Sequence, residues 1–218
     1  MTEPGTRTPR ERYRAQVRAE IKERAWQQIA TAGASALSLN AIAKQMGMSG
    51  PALYRYFASR DELITELIRE AYGSLAATLR TARSAGADLA RLAYELREWA
   101  LADPQRYLLI YGTPVPGYRA PEELTGVASD TMATLLDACA AHEWDGDGTP
   151  FAVHLERHRG WADDHPAPAA TLHRALTFWT RLHGLLSLEL AGHFTGMRFD
   201  PALLYAAEVD ELLAHRRT

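Results

Sequence analysis

The chain has 218 residues, is 47% apolar and carries a formal net charge of −3, so it is long enough to bury a sizeable core in one domain or two. No apolar run approaches the length of a membrane span, and the first twenty residues carry five arginines where a signal peptide needs a hydrophobic stretch. The single Cys139 excludes an internal disulfide framework, so a cytoplasmic location with a reduced, buried thiol is expected, with no membrane partner.

The charge is unevenly divided. Residues 1–60 hold ten Lys or Arg against four Asp or Glu, a net of +6, whereas the rest hold fourteen against twenty-three, a net of −9. A basic module at one end of an acidic body is the electrostatic footprint of polyanion binding confined to that end.

The first twelve residues are rich in Pro, Gly, Thr and Arg and read as a disordered arm. Beside a DNA-binding module, Arg7, Arg10 and Arg12 can follow a narrow minor groove, where negative potential is concentrated; alternatively the arm is a solvated tail. A first helix is expected over Tyr13 to Ala32, with Val17, Ile21, Ala25 and Ile29 four apart and Gly33 as its stop. Ser38 then caps a short helix whose apolar stripe is Leu39, Ile42, Ala43 and Met46. Gly47 follows, where a helix commonly ends in a left-handed residue. Ser49 is placed to cap the next helix, Pro51 sits in its first turn, and Leu53 with Phe57 forms an inward i, i+4 pair. Two short helices joined by so sharp a turn form a helix-turn-helix.

Ser59 and Glu62 mark a capping box at the start of a fourth helix with Leu63, Leu67, Ala71, Leu75 and Leu79 on its inner face. After a break at 84–87, helices are expected at about 88–102, from Asp103 and Pro104 to about Tyr111, and at about 121–141 with Val127, Leu135, Leu136 and Cys139 inward. Pro114-Val115-Pro116-Gly117 is a stop, and the Gly-, Pro-, Asp- and His-rich stretch 143–168 reads as loop and short helix. Leu172, Leu176, Trp179, His183, Leu186 and Leu190 are spaced 4, 3, 4, 3, 4, an a/d-type seam, and the helix after Asp200-Pro201 offers Leu204, Val209 and Leu212. Six leucines and one valine (Leu172, Leu176, Leu186, Leu190, Leu204, Val209, Leu212) are read as a homodimer interface, with intramolecular core as the alternative. No strand pattern occurs, so the fold class is all-α.

From Tyr13 to about Leu67 the chain resembles the DNA-binding domain of the TetR (tetracycline repressor) family. The resemblance is carried by Leu39-x-x-Ile42-Ala43-x-x-Met46-Gly47-Met48-Ser49, by Leu53-Tyr54-Arg55-Tyr56-Phe57 and by the capped fourth helix. Far downstream, Trp179, His183 and Gly184 are similar to the Trp-His-Gly signature of one TetR C-terminal subfamily. The resemblance implies an arm over 1–12, a helix-turn-helix domain over 13–60, and a helical body over 61–218 for ligand binding and dimerisation. It implies a regulator, most often a repressor, that binds palindromic double-stranded operator DNA as a homodimer and is released by a small-molecule inducer.

Carried over residue by residue, the resemblance puts backbone contacts at Ser38, Tyr56 and Arg60, where Arg60 replaces the usual lysine. It puts base reading at Asn40, Gly50, Pro51, Ala52, Tyr54 and Arg55, next to Ser49. Gly50 and Ala52 have no side-chain hydrogen-bonding group, so direct readout is thin. Arg55 suits guanine, Asn40 an adenine or a phosphate, and Pro51 with Tyr54 a thymine methyl, each good bidentate pair contributing about 1–3 kcal/mol of discrimination. Shape readout and the arginine arm are expected to carry the rest. For the inducer, expected to be apolar or aromatic, the candidate lining is Leu96, Trp99, Tyr107, Tyr111, Met132, Leu136, Trp179 and His183, with ordinary core as the alternative for each.

Two rival classes remain. His154, Glu156, His158, Asp163, Asp164 and His165 superficially suggest a metal-dependent enzyme, but the His-Glu-x-x-His order is missing. Asp145, Asp147 and Glu156 imitate a calcium loop, but Pro150 stands where the turn needs glycine. No Gly-rich phosphate loop, nucleophile elbow or paired-carboxylate motif occurs, so neither catalysis nor a metal or other cofactor is expected. The second rival is a helix-turn-helix architectural binder with no inducer.

Overall fold

The computed structural model describes residues 8–142, 149–163 and 165–214. Arg7, the calcium-loop-like stretch 145–148, Asp164 and the side chain of Val127 lie outside the described residues. Among the described residues there are ten α-helices and two 3-10 turns, with no strand. They form two units: residues up to Ile68 with Pro114–Ala120, and Arg69–Thr113 with Pro121 onward. The division falls at Ile68 rather than at 60, and a distant loop joins the first unit.

In the first unit, α1 runs over Pro9–Ala32, α2 over Leu39–Gln45 and α3 over Gly50–Tyr54, and the long α4, Arg60–Ser84, begins here. Helix α1 starts four residues before the expected Tyr13. Thr8 accepts from the Glu11 N–H at 3.3 Å, Glu11 returns the bond by accepting from the Thr8 N–H at 2.8 Å, and Pro9 fills the first turn. Arg10 and Arg12 therefore stand on a helix, not on an extended arm. Val17, Ile21, Ala25 and Ile29 are buried as their spacing predicts, with Leu39, Ile42 and Ala43 of α2, Leu53 and Phe57 at α3, and Leu63, Ile64 and Leu67 of α4. Helix α2 closes in a Schellman turn: Met48 N–H donates to the Ala43 carbonyl at 2.9 Å, Gly47 N–H donates to Lys44 at 3.3 Å, and Gly47 has φ 65°. The inserted loop is tied to α4 by the Tyr118 and Thr65 hydroxyls, 2.9 Å apart.

In the second unit, α5 (Leu89–Ala102), α6 (Pro104–Tyr111), α7 (Glu123–Ala140), α8 (Pro150–Leu155), α9 (Ala169–Leu190) and α10 (Pro201–Leu213) join the later turns of α4. Aspartates at 88, 103 and 200 and Thr149 cap the helices that follow them, three of these helices having proline in the first turn. Leu75 and Leu79 of α4 enter one core with Leu92 and Leu96, Leu135, Leu136 and Cys139, Phe178 and Leu182, and Tyr205. The Tyr205 hydroxyl donates to the Ala93 carbonyl at 2.7 Å, Arg97 pairs with Glu189 at 2.6 Å, and Arg181 pairs with Glu208 to join α9 to α10.

The apolar seam of α9 does not face outward. Leu172, Leu186, Val209 and Leu212 are buried in this chain's own core, and Leu176 and Leu190 pack partly buried against it. A stripe of that spacing shows only that one face of a helix is covered. Here α7, α8 and α10 cover it, with α5 and α6. Leu204 alone of the expected interface residues is exposed, at 39%.

Candidate nucleic-acid interface and body cavity

In the first unit, the turn between α2 and α3 presents a small polar and aromatic face. Asn40 and Lys44 of α2 and Ser49, Pro51, Tyr54 and Arg55 at α3 are exposed, with Ala52 half-buried beside them. Asn40 and Lys44 are four apart on one side of α2. A Cβ placed on Gly50 would stand in ordinary contact with Asn40 Oδ1, at 3.5 Å, so the Asn40 side chain lies next to the start of α3. Tyr54 is 44% exposed, whereas Phe57 is fully buried and serves the core. No protein partner of the Arg55 or Lys44 side chain occurs among the described residues.

Three arginines hold this face in place. Arg14 donates to the Arg55 carbonyl at 3.2 Å, and Arg18 donates to the Tyr56 carbonyl while its guanidinium lies 4.0 Å from the centre of the Phe57 ring. Cations thus sit on free carbonyls at the C-terminal end of α3, where the helix dipole favours them. Arg60 behaves similarly: Nε donates to the Leu37 carbonyl at 3.1 Å, and Nη2 to Ala34 at 3.0 Å and Ser35 at 3.2 Å. Arg60 thus helps to order the turn before α2 through Nε and Nη2, while its Nη1 lies 3.8 Å from Asp61 Oδ1.

The serines differ too. Ser38 caps α2, accepting from the Ala41 N–H at 3.3 Å. The Ser49 hydroxyl makes no capping bond; its carbonyl receives the Ala52 and Leu53 N–H groups, which leaves the exposed hydroxyl available to an outside partner. Tyr56 is half-buried with Arg14 over its ring at 5.9 Å. Sequence reasoning missed Arg14, Arg18 and Lys44; the spacing of Arg10, Arg14 and Arg18, four apart on one face of α1, was the available signal.

In the second unit, a cavity of about 220 Å³ opens among α4, α6, α7 and α9. Tyr72, Tyr111, Trp161 and Trp179 form its aromatic walls; Ala128, Ser129, Thr131 and Met132 of α7 complete it. Thr131 and Trp179 also border a second, leucine-lined space of about 30 Å³ that reaches His183 and Leu96. Burial raises the Tyr72 and Tyr111 hydroxyls above the ordinary tyrosine range, so both stay neutral.

Of the eight expected lining residues, Tyr111, Met132 and Trp179 border the larger cavity, and Leu96, Trp179 and His183 the smaller. Leu136 is buried core, and Trp99, which donates from Nε1 to Ser74 Oγ at 3.1 Å, lines neither of these two spaces. Tyr107 is fully buried: its hydroxyl donates to the His183 carbonyl at 3.1 Å and lies 3.0 Å from Nδ1 of the same histidine and 3.1 Å from Ser187 Oγ. Burial lowers the His183 imidazole to about 4 and pushes the Tyr107 hydroxyl up to about 12, which keeps the pair uncharged. Tyr72, Ser129, Thr131 and Trp161 were missed, because their spacing does not distinguish a cavity wall from core.

Among the described residues, no three His, Cys, Asp or Glu side chains are placed to hold a metal ion, and no helix is long and apolar enough to cross a membrane. His154 and His158 stack on each other with ring centres 3.9 Å apart, and His158 Nδ1 is 2.9 Å from the His154 carbonyl. The Cys139 thiol is buried and pushed up to about 12.

Comparison with known proteins agrees with this division. Residues 21–67 match the family described as "Bacterial regulatory proteins, tetR family", and residues 89–212 match "Tetracyclin repressor-like, C-terminal domain". The chain is 36% identical over 217 residues to the HTH-type transcriptional regulator Rv1816 of Mycobacterium tuberculosis, covering 92% of each. It is 70% identical to SCO4313, a candidate regulatory protein of known crystal structure, with a TM-score of 0.89 over 94% of this chain and 99% of that one. The fold also resembles that of the transcriptional regulator FadR from Bacillus subtilis in complex with stearoyl-CoA, at 13% identity, a TM-score of 0.57, and coverage of 90% and 97%.

Proposed function

This chain belongs to the tetR family of bacterial regulatory proteins, and we propose that it is a repressor that binds palindromic operator DNA as a homodimer and is released by a small, apolar or aromatic inducer held in the second unit. The observation that carries this reading is α4. It is one unbroken helix from Arg60 to Ser84, with Leu63, Ile64 and Leu67 in the core of the DNA-reading unit and Tyr72 in the wall of the cavity. A ligand that favours one position of Tyr72 acts on a helix that the reader shares. Bound DNA and bound inducer then oppose each other through the same equilibrium, by equal amounts in each direction.

On DNA, Ser49, Pro51, Tyr54 and Arg55 enter the major groove, with Asn40 beside them and Lys44, Ser38 and Tyr56 on the flanking phosphates. Gly50 and Ala52 offer only backbone and a methyl group, so Arg55 carries most of the direct readout. Arg10 and Arg12, projecting from the first turns of α1, supply sequence-independent attraction. For the homodimer, the exposed positions of the neighbouring helices α9 and α10 are the favoured surface: Thr180, Gly184 and Leu188 are exposed four residues apart on α9, and on α10 Leu203 is 71% and Leu204 39% exposed. Two readers joined in this way must reach half-sites about 34–36 Å apart, or a multiple of that.

The test is a titration of the purified chain against a duplex selected from a random pool, repeated with small neutral aromatic compounds. Two chains per duplex and a ligand-dependent loss of affinity support the reading. If a compound that occupies the cavity leaves operator affinity unchanged, the inducer role is wrong and a binder without an inducer takes its place.

A further inference from the structure

The cavity is selective in its chemistry, and, resting on the reading of the second unit as the ligand-binding unit, we infer that its occupant is a neutral, flat molecule of one or two aromatic rings presenting one hydrogen-bonding oxygen to Thr131. Thr131 supplies the polar half of the argument. It is only 7% exposed, lines both cavities, and its hydroxyl has no hydrogen-bond partner. Two other helical threonines do find partners: Thr134, one turn along α7, donates to the Asp130 carbonyl at 3.0 Å, and Thr177 of α9 donates to the His173 carbonyl at 3.0 Å. A buried hydroxyl left unpaired at a cavity wall is a point at which a ligand oxygen can supply the missing hydrogen bond.

The walls supply the apolar half. Tyr72 and Tyr111 meet at 5.9 Å and 83°, and Tyr111 and Trp179 at 6.4 Å and 71°. Edge-to-face contacts set the rings at steep angles around the space instead of closing it by flat stacking. None of the described lining residues is Asp, Glu, Lys, Arg or His, so a carboxylate or ammonium entering there would gain no counter-ion from the walls in exchange for the hydration it gives up. Size sets the last limit. About 220 Å³ exceeds the roughly 150 Å³ of a cavity that takes up benzene and falls below the roughly 300–1,000 Å³ of drug-sized sites. The adjoining space of about 30 Å³ admits a short alkyl branch beside the oxygen but no long chain, so the stearoyl-CoA seen with the Bacillus subtilis FadR is not a guide to this site.

The probes are 1-naphthol, naphthalene, 1-naphthoate and benzyltrimethylammonium, titrated into the full-length protein by calorimetry and by quenching of tryptophan fluorescence. The expected result is one 1-naphthol per chain, with naphthalene bound about three- to tenfold more weakly, the worth of one hydrogen bond, and neither ion bound comparably. Thr131→Val should bring the two neutral compounds to the same affinity, and Thr131→Ser, which keeps the hydroxyl, should retain the difference. Equal binding of the two neutral compounds to the natural protein, tighter binding of either ion, or binding of none of the four would overturn the inference. The expected pattern without any effect on operator affinity would leave the chemical class standing and overturn the inducer role instead.

Discussion

Arg60 Nε donates to the Leu37 carbonyl at 3.1 Å, and the other arm of the same guanidinium takes the Ala34 and Ser35 carbonyls. The first residue of α4 is thereby fastened to the turn that precedes α2, across more than twenty residues of chain. An arginine at this position reaches three backbone oxygens in and just after the 3-10 turn at Ala34–Ala36, which a lysine's single ammonium cannot do with the same planar fork.

Arg60→Ala should therefore act through folding. Loss of charged hydrogen bonds at a half-buried site should cost about 1–3 kcal/mol, read as a lower midpoint in urea denaturation. The slope of log K against log salt for DNA binding should stay the same for the folded fraction. Unchanged stability with a slope reduced by about one would restore Arg60 to the phosphate contacts.

Arg55 and Lys44 should separate cleanly. Arg55→Ala should relax discrimination at one position of each half-site, by about 1–3 kcal/mol against the preferred base pair. Lys44→Ala should weaken binding to all sequences and lower the salt slope by about one per chain. Competition assays against single-base variants of a selected duplex distinguish them; a uniform loss from Arg55→Ala would remove it from base reading.

His183 makes stability depend on pH. Its pKa falls from the ordinary 6.5 to about 4 in the folded chain because the ring is buried, so the unfolded chain binds the extra proton first. The stability contribution is intact above about pH 6.5 and is lost progressively as the pH falls towards 4, by on the order of 3 kcal/mol in full. His183→Gln should flatten this part of the profile of urea midpoint against pH, whatever its effect at neutral pH. A parallel profile would show that other groups govern acid sensitivity.

The α9 and α10 face should be separable from the core behind it. Leu203→Lys, at a residue 71% exposed, should leave helicity and thermal stability nearly unchanged while shifting the protein from dimer to monomer in sedimentation velocity. Leu186→Lys, at a fully buried residue, should prevent stable folding. A dimer that survives Leu203→Lys places the interface elsewhere.

The helices were legible because their signals are local. Val17 to Ile29 at four-residue spacing, Gly47 as a left-handed stop, and Asp103 with Pro104 each describe a single element. Relations between elements were not legible. The seam from Leu172 to Leu190 shows a covered face without saying what covers it, so its turn into the chain's own core could not be read. Arg60 looked like a surface cation because the carbonyls it meets belong to the irregular turn after α1, whose path no propensity encodes. The cavity was half legible: Tyr111, Met132 and Trp179 stood out as large apolar residues, whereas Thr131 and Tyr72 acquire significance only when four helices bring them together. The arginine-rich start misled in another way, since Thr8, Pro9 and Glu11 are helix-start signals within a composition that suggests disorder.

The measurement that bears most directly on the account is selection of the full-length chain against a randomised duplex pool at near-physiological salt, with the enriched sequences read out. The expected result is a palindrome whose half-sites lie about one helical turn, or a multiple of it, apart, with each half-site most strongly specified at the base pair read by Arg55. Weak, salt-sensitive binding with no enriched sequence would contradict it.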